Sequence, residues 1–177
     1  MDDLYQGAHD VHVLPANLSL PGMGVLPVNA FVLMAEEPVL IDSGIGVDGD
    51  DFVAAAGSVI DLERLKWVWL THDDADHTGS IQRIMEAAPN ATLVTHALSA
   101  LRMSTWWPVP MERVHAIRPG DEIHVGDRSL VAVPPPLFDN PTTLGVLDRS
   151  TGCLFTADAF GAILPEATQH VSEVPRE

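Results

Sequence analysis

Three features follow one another without a break between Lys66 and Ala88. Lys66-Trp67-Val68-Trp69-Leu70 is a short apolar run that reads as a strand. His72-Asp73-Asp74-Ala75-Asp76-His77 places two imidazoles and three carboxylates within six residues. From Ser80 to Ala88 a helix is expected, because Ile81, Ile84, Met85 and Ala88 keep the i, i+3, i+4, i+7 spacing of one face, and Pro89-Asn90 ends it. A polar loop between a strand end and a helix start is where rigid scaffolds commonly carry sites. The cluster is also costly on its own. Carboxylates at close range raise one another's pKa, and burying them unpaired costs on the order of several kcal/mol. A divalent cation removes that cost by giving each group a partner. Capping of the following helix would account for one acid or for Thr78. It does not account for two histidines bracketing three aspartates.

The rest of the chain supplies the frame. Val11 to Leu14 and Val28 to Met34 read as strands, short, apolar and partly β-branched. Glu36-Glu37-Pro38 reads as a turn, Val39-Leu40-Ile41 as a strand leading into Asp42-Ser43-Gly44, and Asp48-Gly49-Asp50-Asp51 as an acidic loop. A short helix is expected over Asp61 to Arg64, a strand over Ala91 to Thr95 and a helix over Ala97 to Met103. Trp106-Trp107-Pro108-Val109-Pro110 is an irregular aromatic loop, read as packing rather than as a lid. Strands are expected at Ile123 to Val125, Ser129 to Val133, Leu144 to Leu147 and Cys153 to Thr156, with a hairpin turn at Arg149-Ser150-Thr151-Gly152. No repeat and no linker divides the chain, so residues 1–177 read as one mixed α/β layered domain.

Charge and composition narrow the function. The chain has 177 residues, 9 Lys and Arg against 25 Asp and Glu, and a formal charge of -16. So acidic a surface repels phosphate backbones and anionic headgroups, which argues against nucleic acid and membrane as partners. The single cysteine, Cys153, excludes an internal disulfide and a Cys-based zinc site, and alternation places it in the core. The uncharged stretch from Val13 to Ala35 is broken by Pro15, Pro21, Pro27, Gly22 and Gly24, and reads as buried strands joined by turns rather than a membrane span. The acidic start, Met1-Asp2-Asp3, is unlike a secretory signal. A cytoplasmic protein is expected.

Thr71-His72-Asp73-Asp74-Ala75-Asp76-His77-Thr78-Gly79 resembles the signature of the metallo-β-lactamase superfamily, His-x-His-x-Asp-His. Asp74 stands at the second His position. That variant is similar to the flavodiiron, oxygen-binding diiron branch, which generally has Glu there. Val39-Leu40-Ile41-Asp42-Ser43-Gly44 resembles the superfamily's early strand and Asp. Leu154-Phe155-Thr156-Ala157-Asp158-Ala159-Phe160-Gly161 resembles the strand with its bridging Asp. The resemblance runs from about residue 11 to residue 161 and implies an αββα sandwich. It implies His72 and Asp74 on a first metal, Asp76 and His77 on a second, Asp158 as the bridge, and Asp42 as a structural or supporting residue.

Two departures stand out. The family has a further His before the bridging Asp, and in Pro136-Leu137-Phe138-Asp139-Asn140-Pro141 that place is held by Asp139, nineteen residues before Asp158. Asp139 is read as a substitute ligand, with a turn-forming role as the alternative. The family also supplies a last His from a strand well after the bridging Asp, and here His170 is the sole imidazole in the sixteen residues after Gly161. The domain is therefore expected to lack its C-terminal portion. His9, His12, His96, His115 and His124 read as surface or structural.

The implied donors, two imidazoles with Asp74, Asp76, Asp139 and Asp158, form an oxygen-rich set. Such a set suits two divalent ions of iron or manganese better than zinc. Three functions follow. The leading one is a hydrolase in which two metals activate a water toward a small-molecule substrate, with Asp76 or Asp74 handling the proton. The alternative is a diiron oxidoreductase that binds oxygen or nitric oxide and takes electrons from a separate redox partner. The third is a metal-binding but inactive module.

Overall fold

The computed structural model describes residues 3–137 and 140–168. Its larger sheet runs β1 (Tyr5–Ala8), β2 (Val11–Leu20), β3 (Gly24–Leu33), β4 (Val39–Ile41), β5 (Trp67–Trp69), β6 (Thr92–His96) and β7 (Val114–Ile117) in spatial order. The first three strands are antiparallel to their neighbours, and β4 to β7 are parallel. A smaller antiparallel sheet has the order β11 (Leu154–Phe155), β10 (Gly145–Asp148), β9 (Ser129–Val133), β8 (Glu122–His124). The helices are α1 (Gly49–Val59), α2 (Ala75–Thr78), α3 (Ile81–Ala87) and α4 (Ala97–Met103).

Strand alternation sorts the larger sheet's side chains into two cores. Leu40, Val68 and Leu93 point to one face and pack with Phe52 and Ala56 of α1, Ile84 and Met85 of α3 and Met103 of α4. Val39, Ile41, Trp69 and Val94 point to the other and meet Ile123, Leu130, Ala132, Val146 and Phe155 of the second sheet. That double burial is why β4 and β5 read as unbroken apolar runs. The described layers are thus helices, large sheet and small sheet. Because β4, β5 and β6 are parallel, the loops after Ile41, Trp69 and His96 leave from one end of the sheet. The backbone N–H of Leu144 donates to Thr71 O at 2.8 Å, which brings the segment before β10 to the same end.

Several expectations are corrected. The acidic stretch at Asp48 is not a loop. Asp50 and Asp51 lie in the first turn of α1, where acids favour the positive helix end. β2 and β3 are longer than expected and run through Pro15 and Pro27. Around these prolines the hairpin is two strands wide: β1 pairs β2 no further than Val13, β4 pairs β3 from Phe31 onward, and the outer edge of β3 is bridged at Val25, by Leu164. A missing N–H costs a ladder bond only where it faces a paired edge, and each strand of this ribbon has an open edge that can take proline. Trp107 is buried in the helix-side core as expected, but its neighbour Trp106 is 56% exposed. Cys153 packs against the inter-sheet core, and burial, together with the charges of Asp148 and Asp10, pushes its thiol pKa up. No helix among the described residues is long and apolar enough to cross a membrane.

Candidate metal centre

The site begins with Asp42, the residue after β4. Its backbone lies in the left-handed region, with φ at 60°, a conformation uncommon for anything but glycine. The turn delivers the carboxylate beneath the loop that follows β5. There Asp42 accepts from the Thr71 backbone N–H at 2.8 Å, from the Thr71 hydroxyl at 2.9 Å and from His77 Nδ1 at 2.9 Å. The Thr71 hydroxyl has a single proton, which the carboxylate takes. Its oxygen is then left to accept from His72 Nδ1 at 3.0 Å. One buried carboxylate therefore orients both imidazoles, directly for His77 and through Thr71 for His72. In both rings this arrangement leaves Nε2 as the atom turned toward Asp158.

The loops are laced together by backbone bonds. Ser43 donates to His77 O through its N–H at 2.8 Å and its hydroxyl at 2.9 Å, and Gly79 N–H donates to Gly44 O at 2.8 Å. A Cβ on Gly79 would lie 2.1 Å from Gly46 N, so the approach requires glycine. α2 is a single turn in which the Thr78 hydroxyl donates to Asp74 O at 2.9 Å.

Asp158, just after β11, faces both rings. Its Oδ1 is 2.8 Å from His77 Nε2, and its Oδ2 is 3.7 Å from His72 Nε2. Each ring also has a carboxylate of its own: Asp74 Oδ2 lies 3.6 Å from His72 Nε2, and Asp76 Oδ2 lies 3.8 Å from His77 Nε2. The preceding residue, Ala157, like Asp42, has a positive φ, at 51°. Among the described residues, His72, His77 and Asp158 form the group whose ligand atoms all lie within 4.8 Å of one another. The imidazoles are buried, while the carboxylates of Asp158 and Asp74 reach the surface at 37% and 43% exposure.

The carboxylates around His77 favour a positive charge on its ring. Burial alone would depress the pKa of His77. The charge of Asp42, reinforced by the hydrogen bonds that the ring donates to Asp158 and Asp42, outweighs burial and holds it at about 11. A cation at Nε2 would replace the ring proton there. Two imidazoles with carboxylates on either side are a donor set that could hold divalent metal, and Asp158 turns one oxygen toward each ring.

The expected residues His72, Asp74, Asp76, His77 and Asp158 thus converge on one place. Asp139 and His170 lie outside the described residues. The third carboxylate of the motif turns away. Asp73 is 4% exposed and accepts from Arg102 Nε at 2.9 Å and from the Ser99 hydroxyl at 2.9 Å, which ties the loop to α4. Thr71 and Asn140 also belong to the site, and sequence reasoning did not assign them to it. Thr71 had the signal of lying inside the motif, whereas Asn140 had none beyond its place in a turn.

Residues 23–169 match the family model described as Metallo-beta-lactamase superfamily. The chain is similar to diflavin flavoprotein A 1 of Synechocystis, with 26% identity over 75% of this chain and 23% of that protein. It is similar to the anaerobic nitric oxide reductase flavorubredoxin of Pectobacterium carotovorum, with 24% identity over 75% of this chain and 27% of that protein. In structure it resembles the flavodiiron protein of Giardia intestinalis, at a TM-score of 0.83 and 19% identity, over 96% of this chain and 43% of that one. The chain therefore spans about a quarter of the length of these two curated relatives. With this match over most of its length and the motif residues gathered at one end of the sheet, the chain belongs to the metallo-beta-lactamase superfamily.

Proposed function

We propose that this chain is a diiron oxidoreductase domain that binds oxygen or nitric oxide and receives electrons from a separate donor. The carrying observation is the placement of Asp158, one oxygen toward each imidazole, with Asp74 and Asp76 completing two carboxylate-rich halves. In this reading His72 and Asp74 would hold the first iron, Asp76 and His77 the second, and Asp158 would serve both. Asp139 joins the first iron on the strength of its sequence position. The leading hydrolase reading gives way, because the named relatives are a flavoprotein and a nitric oxide reductase and the donors are rich in carboxylate.

Two irons, when bound, supply one-electron chemistry and Lewis acidity toward a small diatomic molecule. The chain supplies the geometry. Asp42 and Thr71 fix both rings so that no reorientation is needed at the moment of reaction.

The test is metal analysis followed by anaerobic loading with ferrous iron. Two irons per chain are expected, with a colour that forms in air and bleaches on reduction, and with oxygen or nitric oxide consumption when a chemical reductant is supplied. Stoichiometric zinc without iron, or ester hydrolysis that tracks added metal, would overturn the proposal.

A further inference from the structure

Outside the ring-and-carboxylate geometry, one further side chain touches a proposed iron ligand in a way that the motif does not explain. Asn140, in the segment before β10, is 5% exposed. Its Nδ2 donates to Asp74 Oδ1 at 2.8 Å across 66 positions of sequence. The orientation of the amide is set by its other end. Asn140 Oδ1 accepts from Arg102 Nη1 at 3.3 Å and from the Thr142 backbone N–H at 3.1 Å, and the Thr142 hydroxyl, 2.8 Å away, shares its one proton between Asn140 Oδ1 and Asp73 Oδ1, the latter at 2.9 Å. With the oxygen committed there, the amide nitrogen is the end that faces Asp74.

We infer that Asn140 is a positioning residue for the first iron: it holds Asp74 by Oδ1 and leaves Oδ2 as the single oxygen offered to the metal. The inference rests on the diiron reading. Asp74 is 43% exposed, so its side chain would otherwise exchange among rotamers, and ordering it at the moment of binding would weaken the site. Asn140 removes that freedom in advance. Oδ2 is the oxygen that lies 3.6 Å from His72 Nε2, on the side where the first iron is proposed. Arg102 steadies the arrangement from behind. Its Nε is bound to the buried carboxylate of Asp73 at 2.9 Å while its Nη1 reaches Asn140, so α4 and the segment before β10 are braced against one carboxylate. Asn140 therefore acts through Asp74 and tunes how tightly the first iron is held.

The experiment is iron binding by the full chain, read by chelator competition under anaerobic conditions with ferrous iron as the probe. Asn140→Ala should weaken one of the two irons by about tenfold or more and leave the other unchanged. Asn140→Ser serves as a second variant should the alanine variant fail to melt cooperatively. In an Asp74→Ala background the Asn140 substitution should produce no further loss, because the group it positions is gone. An unchanged affinity in Asn140→Ala overturns the inference, and so does an equal additional loss in the Asp74→Ala background, which marks a merely structural role. Wild-type chain that takes up no iron overturns the diiron reading and this inference with it. Wild type that loads two irons beside an unaffected Asn140→Ala overturns the inference alone.

Discussion

Asp42 and His77 stand 35 positions apart in the chain and meet at 2.9 Å, carboxylate Oδ2 to ring Nδ1. Asp42 also binds Thr71, whose hydroxyl lies 3.0 Å from His72 Nδ1, so a residue that reaches neither proposed iron orients both histidines. Asp42→Asn keeps a side chain that tolerates the positive φ but removes the charge. Iron affinity should fall by about 10–100-fold at one or both sites while the far-ultraviolet circular dichroism is unchanged. Chelator competition measures it, and wild-type affinity would show that the carboxylate orients nothing.

Asp158 differs from its neighbours in facing both rings. Asp158→Ala should therefore release both irons, whereas Asp76→Ala should release one and retain the other. The readout is metal per chain by mass spectrometry after desalting. Equal losses in the two variants would mean that Asp158 does not bridge.

Asp73 is tested by stability rather than by metal. Its side chain is 4% exposed and its cation is Arg102. Arg102→Ala leaves that carboxylate with hydroxyl donors alone and should cost about 1–3 kcal/mol in the metal-free chain. The loss should appear as a lower urea midpoint at unchanged slope. A midpoint equal to that of wild type would place the pair among the ineffective surface contacts.

Far from the site, Asp148 sets an acid limit on stability. Burial pushes its pKa up. The hydroxyl and backbone N–H of Ser150, the hydroxyl of Thr151 and the charge of Arg128 together hold it below its ordinary 3.8. A depressed carboxylate contributes stability above its unfolded pKa and loses it as pH falls through the folded value. Asp148→Asn should therefore be less stable than wild type at neutral pH, by about 1–3 kcal/mol, and the gap should close below about pH 4. Urea titrations at stepped pH check this, and parallel curves would sink it.

Much of the frame was legible in local pattern. The i, i+3, i+4, i+7 spacing announced α3, the apolar runs announced β4 and β5, and the turn at Arg149 was marked by its residues. α1 was hidden behind an acidic start that looks like a loop when taken alone, and the extent of the β2–β3 ribbon was hidden by prolines, which cost a ladder bond only where the missing N–H faces a paired edge.

By itself the sequence determined which chemistry was possible: two imidazoles and three carboxylates between a strand and a helix, in a chain with one cysteine and a charge of -16. Side-chain type and near-neighbour spacing are local properties, so they survive without coordinates. Only the tertiary structure decided that Asp73 turns to Arg102 while Asp74 and Asp76 stay with the rings, that Asp158 divides its oxygens between His72 and His77, and that Asn140 grips Asp74. Those choices depend on which segments the two sheets bring to one end. Contacts across tens of residues are set by burial and packing of the whole domain, which leaves no periodic trace in the chain around them.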